Sequence, residues 1–181
     1  MKNIVLLVSV LAFGFAPARL IKTKITDRIT ISIPPTLVPM TPDDIGQRYP
    51  SVRAPLGAFT NADRDSDFSV NISATQWPDA DIELAAQFFK SGIYNLYDRV
   101  DFISQGIHTV NKKKFIFFEF ESRVNGNKLK EGERQAIFRY AYVQYYIEKG
   151  RTLVFTFSCP KDHQSEWQET AQAMMKTIKV R

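Results

Sequence analysis

An acidic turn in the first half of the chain offers the oxygen atoms that a calcium ion would need. Its oxygen-bearing side chains stand at alternate positions: Asn61, Asp63, Asp65 and Asp67. An EF-hand also requires glycine at the sixth loop position and glutamate at the twelfth, which are Ser66 and Ile72 when counting starts at Asn61. Asp and Asn are favoured in turns for backbone reasons. We therefore predict a solvated hairpin turn, and a metal held by Asp63, Asp65 and Asp67 is the alternative.

The residues that usually act as bases and nucleophiles are scarce. The chain has two histidines and one cysteine. His108 falls in a strand-like run and His163 precedes a helix pattern, and neither stands at zinc-ligand spacing from a second ligand. No Gly-x-Ser-x-Gly motif presents a nucleophilic serine, and no glycine-rich loop is built to hold phosphate. Cys159 ends an apolar run, which is typical of a core thiol. We expect a protein that is not an enzyme and needs no cofactor.

A tyrosine-rich strand is the first candidate for a binding surface. Tyr140, Tyr142 and Tyr146 recur on one side of an alternating run, together with Phe138 and Gln144. Tyrosine combines an apolar ring with a polar tip, which suits a partly wet binding face. The alternative is a sheet face that a helix covers, because aromatic residues in strands usually belong to the core.

Two lysine-rich turns are the second candidate. Lys112, Lys113 and Lys114 lie between two strand patterns, and Lys128 and Lys130 lie in a polar loop that contains two glycines. Such turns could meet anionic lipid headgroups or an acidic partner. The alternative is that they are charged hairpin ends that only keep the sheet soluble.

The amino-terminal eighteen residues predict export. Lys2 is followed by an apolar run over 4–15 and by Ala16-Pro17-Ala18, which is the pattern of a cleaved secretory signal and is too short for a comfortable membrane span. No cysteine stands at the cleavage point, so a lipid anchor is not expected. We expect residues 19–181 to form one domain that is periplasmic or secreted. The full chain has a formal net charge of only +5, which is not the concentrated basic footprint expected of a nucleic-acid binder.

Alternating polar and apolar residues predict strands over 22–33, 56–60, 67–73, 100–110, 114–124, 135–147 and 152–159. Thr41-Pro42-Asp43-Asp44 predicts a short helix, residues 82–96 predict an amphipathic helix, and Ser165 with Gln168 predicts a capping box for the last helix. The segment Phe115 to Phe120 is apolar on both strand faces until Glu119, which requires cover on both sides. We predict an α+β fold, with a central antiparallel sheet of about six strands and helices on both faces.

Several segments resemble the PsbP-like fold family. They are ITISIPPTLVPM, DADIELAAQFFKSGIYN, NKKKFIFFEF and the ending GRTLVFTFSCP followed by WQETAQAMMKTIKV. The resemblance covers nearly the whole chain after residue 18 and rests on pattern rather than on an invariant motif. It implies an αβα sandwich and a non-catalytic accessory or binding role. The metal-binding histidines of the photosystem relative have no counterparts here.

The expected function is a non-catalytic, exported accessory protein that binds another cell-envelope component through loops or a sheet edge. One alternative is a carrier of lipid or another small ligand, with a cleft between the tyrosine face and the 82–96 helix. A second alternative is an enzyme whose site has no recognisable motif, since fold does not decide function.

Overall fold

The computed structural model describes residues 19–50, 53–77, 81–125, 135–148 and 150–181. The described residues form three α-helices: α1 (Pro42–Arg48), α2 (Ile82–Leu96) and α3 (Gln164–Met175). The strands are β1 (Ile21–Lys24), β2 (Ile29–Ile33), β3 (Val38–Pro39), β4 (Gly57–Thr60), β5 (Asp67–Ile72), β6 (Arg99–Val110), β7 (Lys113–Val124), β8 (Ile137–Glu148), β9 (Arg151–Pro160) and β10 (Lys179–Val180). No helix in the described ranges is long and apolar enough to cross a bilayer.

The strands form two antiparallel sheets. The larger has seven strands in the order β3-β4-β5-β9-β8-β7-β6, and the smaller has three in the order β1-β2-β10. The α+β class and the antiparallel pairing are confirmed. The strand count is higher than expected because the two-residue strands β3 and β10 were not predicted and because the first predicted strand is divided into β1 and β2. Such short strands carry no alternation that a sequence pattern could reveal.

The predicted strand over 22–33 is wrong in one respect, because the chain reverses inside it. β1 and β2 pair antiparallel, with Ile21 opposite Ile33. The hydroxyl of Thr26 accepts hydrogen bonds from the amides of Arg28 and Ile29, at 3.3 and 3.1 Å, and so closes the turn. Thr26, Asp27 and Arg28 are three polar residues in succession, so the alternation predicted over 22–33 is interrupted at the reversal.

Strand β7 is buried on both faces, as its sequence predicts. Ile116, Phe118 and Phe120 join the hydrophobic cluster under α2, which also contains Phe89. Phe115 joins the other cluster, which contains the α3 residues Ala171, Met174 and Met175. The prediction of helices on both faces of the central sheet is therefore confirmed. Because α2 and α3 lie on opposite faces of the large sheet, side chains that point to different faces cannot line the same site.

The predicted start of α1 is confirmed, whereas the predicted start of α3 is wrong. At α1, Thr41 and Asp44 form a reciprocal capping box with proline in the first turn. At α3, the predicted capping box of Ser165 and Gln168 is wrong. A 3₁₀ turn over Lys161–His163 starts the winding earlier, and α3 begins at Gln164. The side-chain amide of Gln168 instead donates to Glu119 at 2.7 Å.

Candidate interaction surface

Exposed apolar side chains concentrate on α2 and on the outer strand β6. Of the eleven large hydrophobic residues that are exposed in the described ranges, six lie on these two elements. They are Leu84, Phe88, Tyr94 and Leu96 on α2, and Ile103 and Ile107 on β6. We call the four on the helix the α2 flank. Clustered exposed apolar residues mark contact surfaces more often than scattered ones do.

The inner face of α2 fixes the position of this flank. The Phe89 ring stacks on Tyr145 of β8, with centroids 4.1 Å apart and planes 5° apart. Ala85 and Ile93, four residues to either side of Phe89, are also buried, as the helical repeat requires. Leu84 and Phe88 therefore point away from the sheet, and about half of each side chain is exposed. The flank is held by a packed helix rather than by a loop.

The basic tip, which we define as Lys112, Lys113 and Lys114, lies at the β6–β7 turn. All three lysines are exposed. Asn111 and Lys112 have φ angles of 47° and 66°, the left-handed conformation that tight hairpin turns need. The Asn111 amide donates to the carbonyl oxygen of Ile178 at 2.8 Å, which anchors the tip to the chain end. Lys128 and Lys130 lie outside the described residues.

The tyrosine face of β8 lies beneath α3. Tyr140, Tyr142 and Tyr146 are buried in the same cluster as Met174 and Met175 of α3. This arrangement matches the alternative in which a helix covers the tyrosine face. Burial raises the pKa of Tyr140 and of Tyr142 above the ordinary value. Among the aromatic residues of this face, Phe138 at the start of the strand is the one that is substantially exposed.

The cleft that the carrier hypothesis requires is contradicted by this layering. Tyr140, Tyr142 and Tyr146 pack on the α3 side of the sheet, whereas α2 packs on the opposite side. Successive side chains of a strand alternate between faces, so one strand face cannot meet both helices. The tyrosine face and the 82–96 helix therefore do not line a common cavity.

A buried carboxylate connects the sheet to α3, and the sequence analysis missed its role. Glu119 is 2% exposed. It accepts hydrogen bonds from Ser104 Oγ at 2.7 Å, Tyr140 OH at 2.8 Å, Gln168 Nε2 at 2.7 Å and Gln172 Nε2 at 2.9 Å. Burial is the largest influence on the pKa of Glu119 and raises it, but the four donors together hold the pKa below its ordinary value. The one signal in the sequence was a lone acid inside the apolar run FIFFEF.

The acidic turn is held by contacts within the protein. Asp67 pairs with Arg48 at 2.5 Å, and Asp65 lies 3.3 Å from His163. Asn61 Oδ1 accepts from the amides of Asp65 and Ser66 at 3.1 Å each, which is turn chemistry. In the described ranges, no three His, Cys, Asp or Glu residues are placed to hold a metal ion. The turn also borders an open cleft of about 440 Å³ that is lined in part by Asp63, His163 and Trp167.

The remaining reactive side chains are packed into the fold. The ring of His108 stacks on Phe117, with centroids 4.5 Å apart, and burial lowers the pKa of His108. Cys159 is fully buried, and burial raises the pKa of its thiol to about 12. A thiol with that pKa is not a nucleophile at neutral pH.

The chain is similar to known proteins in its fold. No family model matches the chain. No curated protein matches it in sequence. Solved structures do match, among them cyanobacterial PsbP from Synechocystis, with a TM-score of 0.59 and 14% identity over 97% of this chain and 99% of that one. The Ran-binding protein Mog1p of Saccharomyces cerevisiae matches with a TM-score of 0.56 and 13% identity, over 90% of this chain and 96% of that one.

A Pseudomonas aeruginosa protein of unknown function also matches, with a TM-score of 0.52 and 9% identity over 91% of this chain and 99% of that one. At these identities the likeness concerns the fold and not the activity. The coverage is nearly complete on both sides, so it is the whole arrangement of sheet and helices that recurs. The chain has the PsbP-like fold.

Proposed function

We propose that this chain is an exported, non-catalytic accessory protein that binds another protein of the cell envelope. The contact surface in this proposal is the α2 flank together with Lys114 of the basic tip. The main support for this proposal is the concentration of exposed apolar side chains on α2 and the neighbouring strand β6. Export rests on the pattern of residues 1–18.

The chemistry of the proposed surface supports a protein partner. Protein interfaces combine an apolar centre with a polar or charged rim. Leu84 and Phe88 supply the apolar part, with exposed fractions of 51% and 49%. Lys114 is an even-numbered residue of β7, like Ile116 and Phe118 under α2, so strand alternation places it on the same face. An acidic group on the partner would pair with it.

The fold and the internal contacts are consistent with a binding role. Mog1p, which shares the fold, is a Ran-binding protein, so this arrangement of sheet and helices can present a protein-binding surface. Three of the side chains that the sequence offers for chemistry are engaged structurally: Asp67 pairs with Arg48, His108 stacks on Phe117, and Cys159 lies in the core. No observation favours the carrier, because its cleft is absent between the tyrosine face and α2.

The test is a cross-linked pull-down from the organism's own envelope, with the carboxy-terminally tagged mature chain as bait. Wild type, Leu84→Glu and Lys114→Glu are compared with Ile21→Glu. Ile21 is a matched control, since it is an exposed apolar residue at 47% exposure on the other sheet. We expect one dominant partner with wild type and Ile21→Glu. We expect its yield to fall about tenfold with Leu84→Glu, the loss of a typical hot-spot contact.

Two results would contradict the proposal. The first is a partner yield that Leu84→Glu and Ile21→Glu leave equally intact, which would place the contact elsewhere. The second is binding to vesicles of anionic phospholipid that Lys114→Glu abolishes and Leu84→Glu does not change. That result would identify the envelope component as a lipid surface.

A further inference from the structure

The open cleft of about 440 Å³ beside the acidic turn has no part in the proposed function. Its walls come from three segments of the chain. The turn contributes Asp63, the segment after β2 contributes Pro34, and the start of α3 with the 3₁₀ turn before it contributes His163, Glu166, Trp167 and Thr170. The last four residues follow the helical repeat, so one helical face borders the cleft. A cleft of this volume can hold a small ligand.

The aromatic side chains of the cleft are held in place by the fold. His163 Nδ1 lies 3.3 Å from Oδ2 of Asp65. The other carboxylate oxygen of Asp65 accepts a hydrogen bond from Asn61 Nδ2 at 2.8 Å. The ring of Trp167 rests on Phe157 of the core, with the ring centroids 5.2 Å apart. The cleft therefore has a fixed aromatic wall, as a binding site requires.

Two carboxylates at the cleft are free to pair with a ligand. They belong to Asp63 and Glu166, which are both exposed. Neither carboxylate makes a hydrogen bond or an ion pair with any residue that the structure describes. They supply two negative charges that no contact within the described ranges neutralises.

The positive groups around the cleft do not cancel these two charges. Arg64, which follows Asp63 in the turn, is already paired with Asp44. Any charge on His163 is offset by the neighbouring carboxylate of Asp65. The first amide of α3 donates to the carbonyl oxygen of Lys161 in the 3₁₀ turn, so this amide is not free to attract an anion. The cleft therefore favours a cation.

We propose that the cleft binds a guanidinium group on an alkyl stem, such as the side chain of arginine. This group is planar and can lie against the indole of Trp167. Its N–H groups form a fork that pairs with carboxylates, here those of Asp63 and Glu166. The cation comes from an arginine of a bound peptide or from a free alkylguanidine. Trp167 packs on the α3 side of the sheet, so the site is separate from the α2 flank and independent of the proposed envelope contact.

The test follows the indole N–H signals of the mature chain by two-dimensional NMR during a titration. Trp77 packs on the α2 side of the sheet and is the internal control for Trp167. N-acetyl-arginine N-methylamide is compared with its citrulline counterpart, which has nearly the same shape and no charge. We expect the arginine compound to shift the Trp167 signal saturably and to leave the Trp77 signal unchanged. The citrulline compound should bind about tenfold more weakly, because it lacks the charge pairs and the cation–π contact.

Replacement of the carboxylates tests their role directly. Asp63→Asn and Glu166→Gln should each weaken binding of the arginine compound about threefold, because each removes one exposed charge pair. Glu83→Gln is the matched control and should leave binding unchanged, since Glu83 occupies the first turn of α2 as Glu166 does in α3. Equal binding of the arginine and citrulline compounds would overturn the proposal, and so would undiminished binding by a chain in which both carboxylates are replaced.

Agmatine, an alkylguanidine without a peptide backbone, separates the two sources of the cation. Tighter binding of agmatine than of the blocked arginine would identify a free alkylguanidine as the ligand. The reverse order would identify an arginine within a peptide. A failed envelope pull-down would leave each of these results unchanged, so the two proposals can fail separately.

Discussion

Replacement of Glu119 provides a stringent test of how α3 is attached to the sheet. The carboxylate is 2% exposed and accepts hydrogen bonds from strands β6 and β8 and from α3. Nothing in the described structure pairs it with a cation; its charge is balanced by four polar donors. The side chain therefore contributes through hydrogen bonds to an ionised group, which are stronger than those between neutral groups.

The magnitude follows from what each substitution leaves unpaired. Glu119→Ala removes every acceptor, and the fully buried Tyr140 hydroxyl cannot turn to water. Each buried donor left without an acceptor costs about 1–3 kcal/mol. Because Glu119→Ala leaves several such donors, we expect it to lower the unfolding free energy by about 3–5 kcal/mol. Glu119→Gln keeps the oxygen that accepts from Tyr140, Gln168 and Gln172, and its amide nitrogen can donate to the Ser104 hydroxyl. We expect Glu119→Gln to cost only about 1–2 kcal/mol, the loss of charge assistance.

The pH dependence has a definite sign. The pKa of Glu119 is lower in the folded chain than its ordinary value, so the unfolded chain binds the proton more readily. The stabilising contribution is complete above the unfolded pKa of about 4.3 and is lost as the pH falls through the folded pKa. The difference in stability between wild type and Glu119→Gln should therefore shrink in acid.

Urea denaturation followed by tryptophan fluorescence measures these differences. Trp167 lies on α3 with its ring 5.2 Å from that of Phe157, so its emission reports the docking of the helix. Gln172→Ala is a useful companion variant, since it removes one donor to Glu119 and leaves the other three. A Glu119→Gln variant as stable as wild type at pH 7, or a difference that does not change between neutral and acid pH, would refute the reasoning.

Three further predictions concern single sites. A Cβ at Gly57 would lie 2.9 Å from the Cγ2 of Ile25, so Gly57→Ala should lower the unfolding free energy by about 1–3 kcal/mol in urea denaturation, and an unchanged midpoint would contradict this packing. Burial lowers the pKa of His108 in the fold, so wild-type stability should decline as the pH falls below about 6.5, and a His108→Phe variant that declines equally would show that another group is responsible. The thiol of Cys159 should react with a thiol reagent only at the rate of unfolding, and rapid labelling of the native chain would contradict its burial.

The layered fold could be predicted from the sequence because the determining patterns are local. The run Phe115 to Phe120 shows cover on both faces without knowledge of what provides it. Thr41 and Asp44 show a helix start because both members of the capping box lie within one turn. The expected strands recur as β4 to β9 with shifts of only one or two residues at most ends.

The site could be predicted only in part because its contacts join distant segments. Glu119 meets Gln168 and Gln172, 49 and 53 residues further along the chain. No sequence period reports such pairs. The alternation in β8 showed that Tyr140, Tyr142 and Tyr146 share a face, but not that α3 covers it. The flank on α2 was missed for a related reason: the sequence shows an apolar stripe, while the exposure of Leu84 and Phe88 depends on how the helix is rotated against the sheet.

The most direct measurement of the central proposal is the molar ratio of partner to bait in the cross-linked envelope complex, determined by quantitative mass spectrometry. The account predicts one dominant envelope protein at a fixed ratio to the mature chain. It also predicts that Leu84→Glu lowers that ratio about tenfold while Ile21→Glu leaves it unchanged. A set of partners at low, variable ratios that neither variant alters would contradict the assignment of this chain as an accessory protein acting through α2.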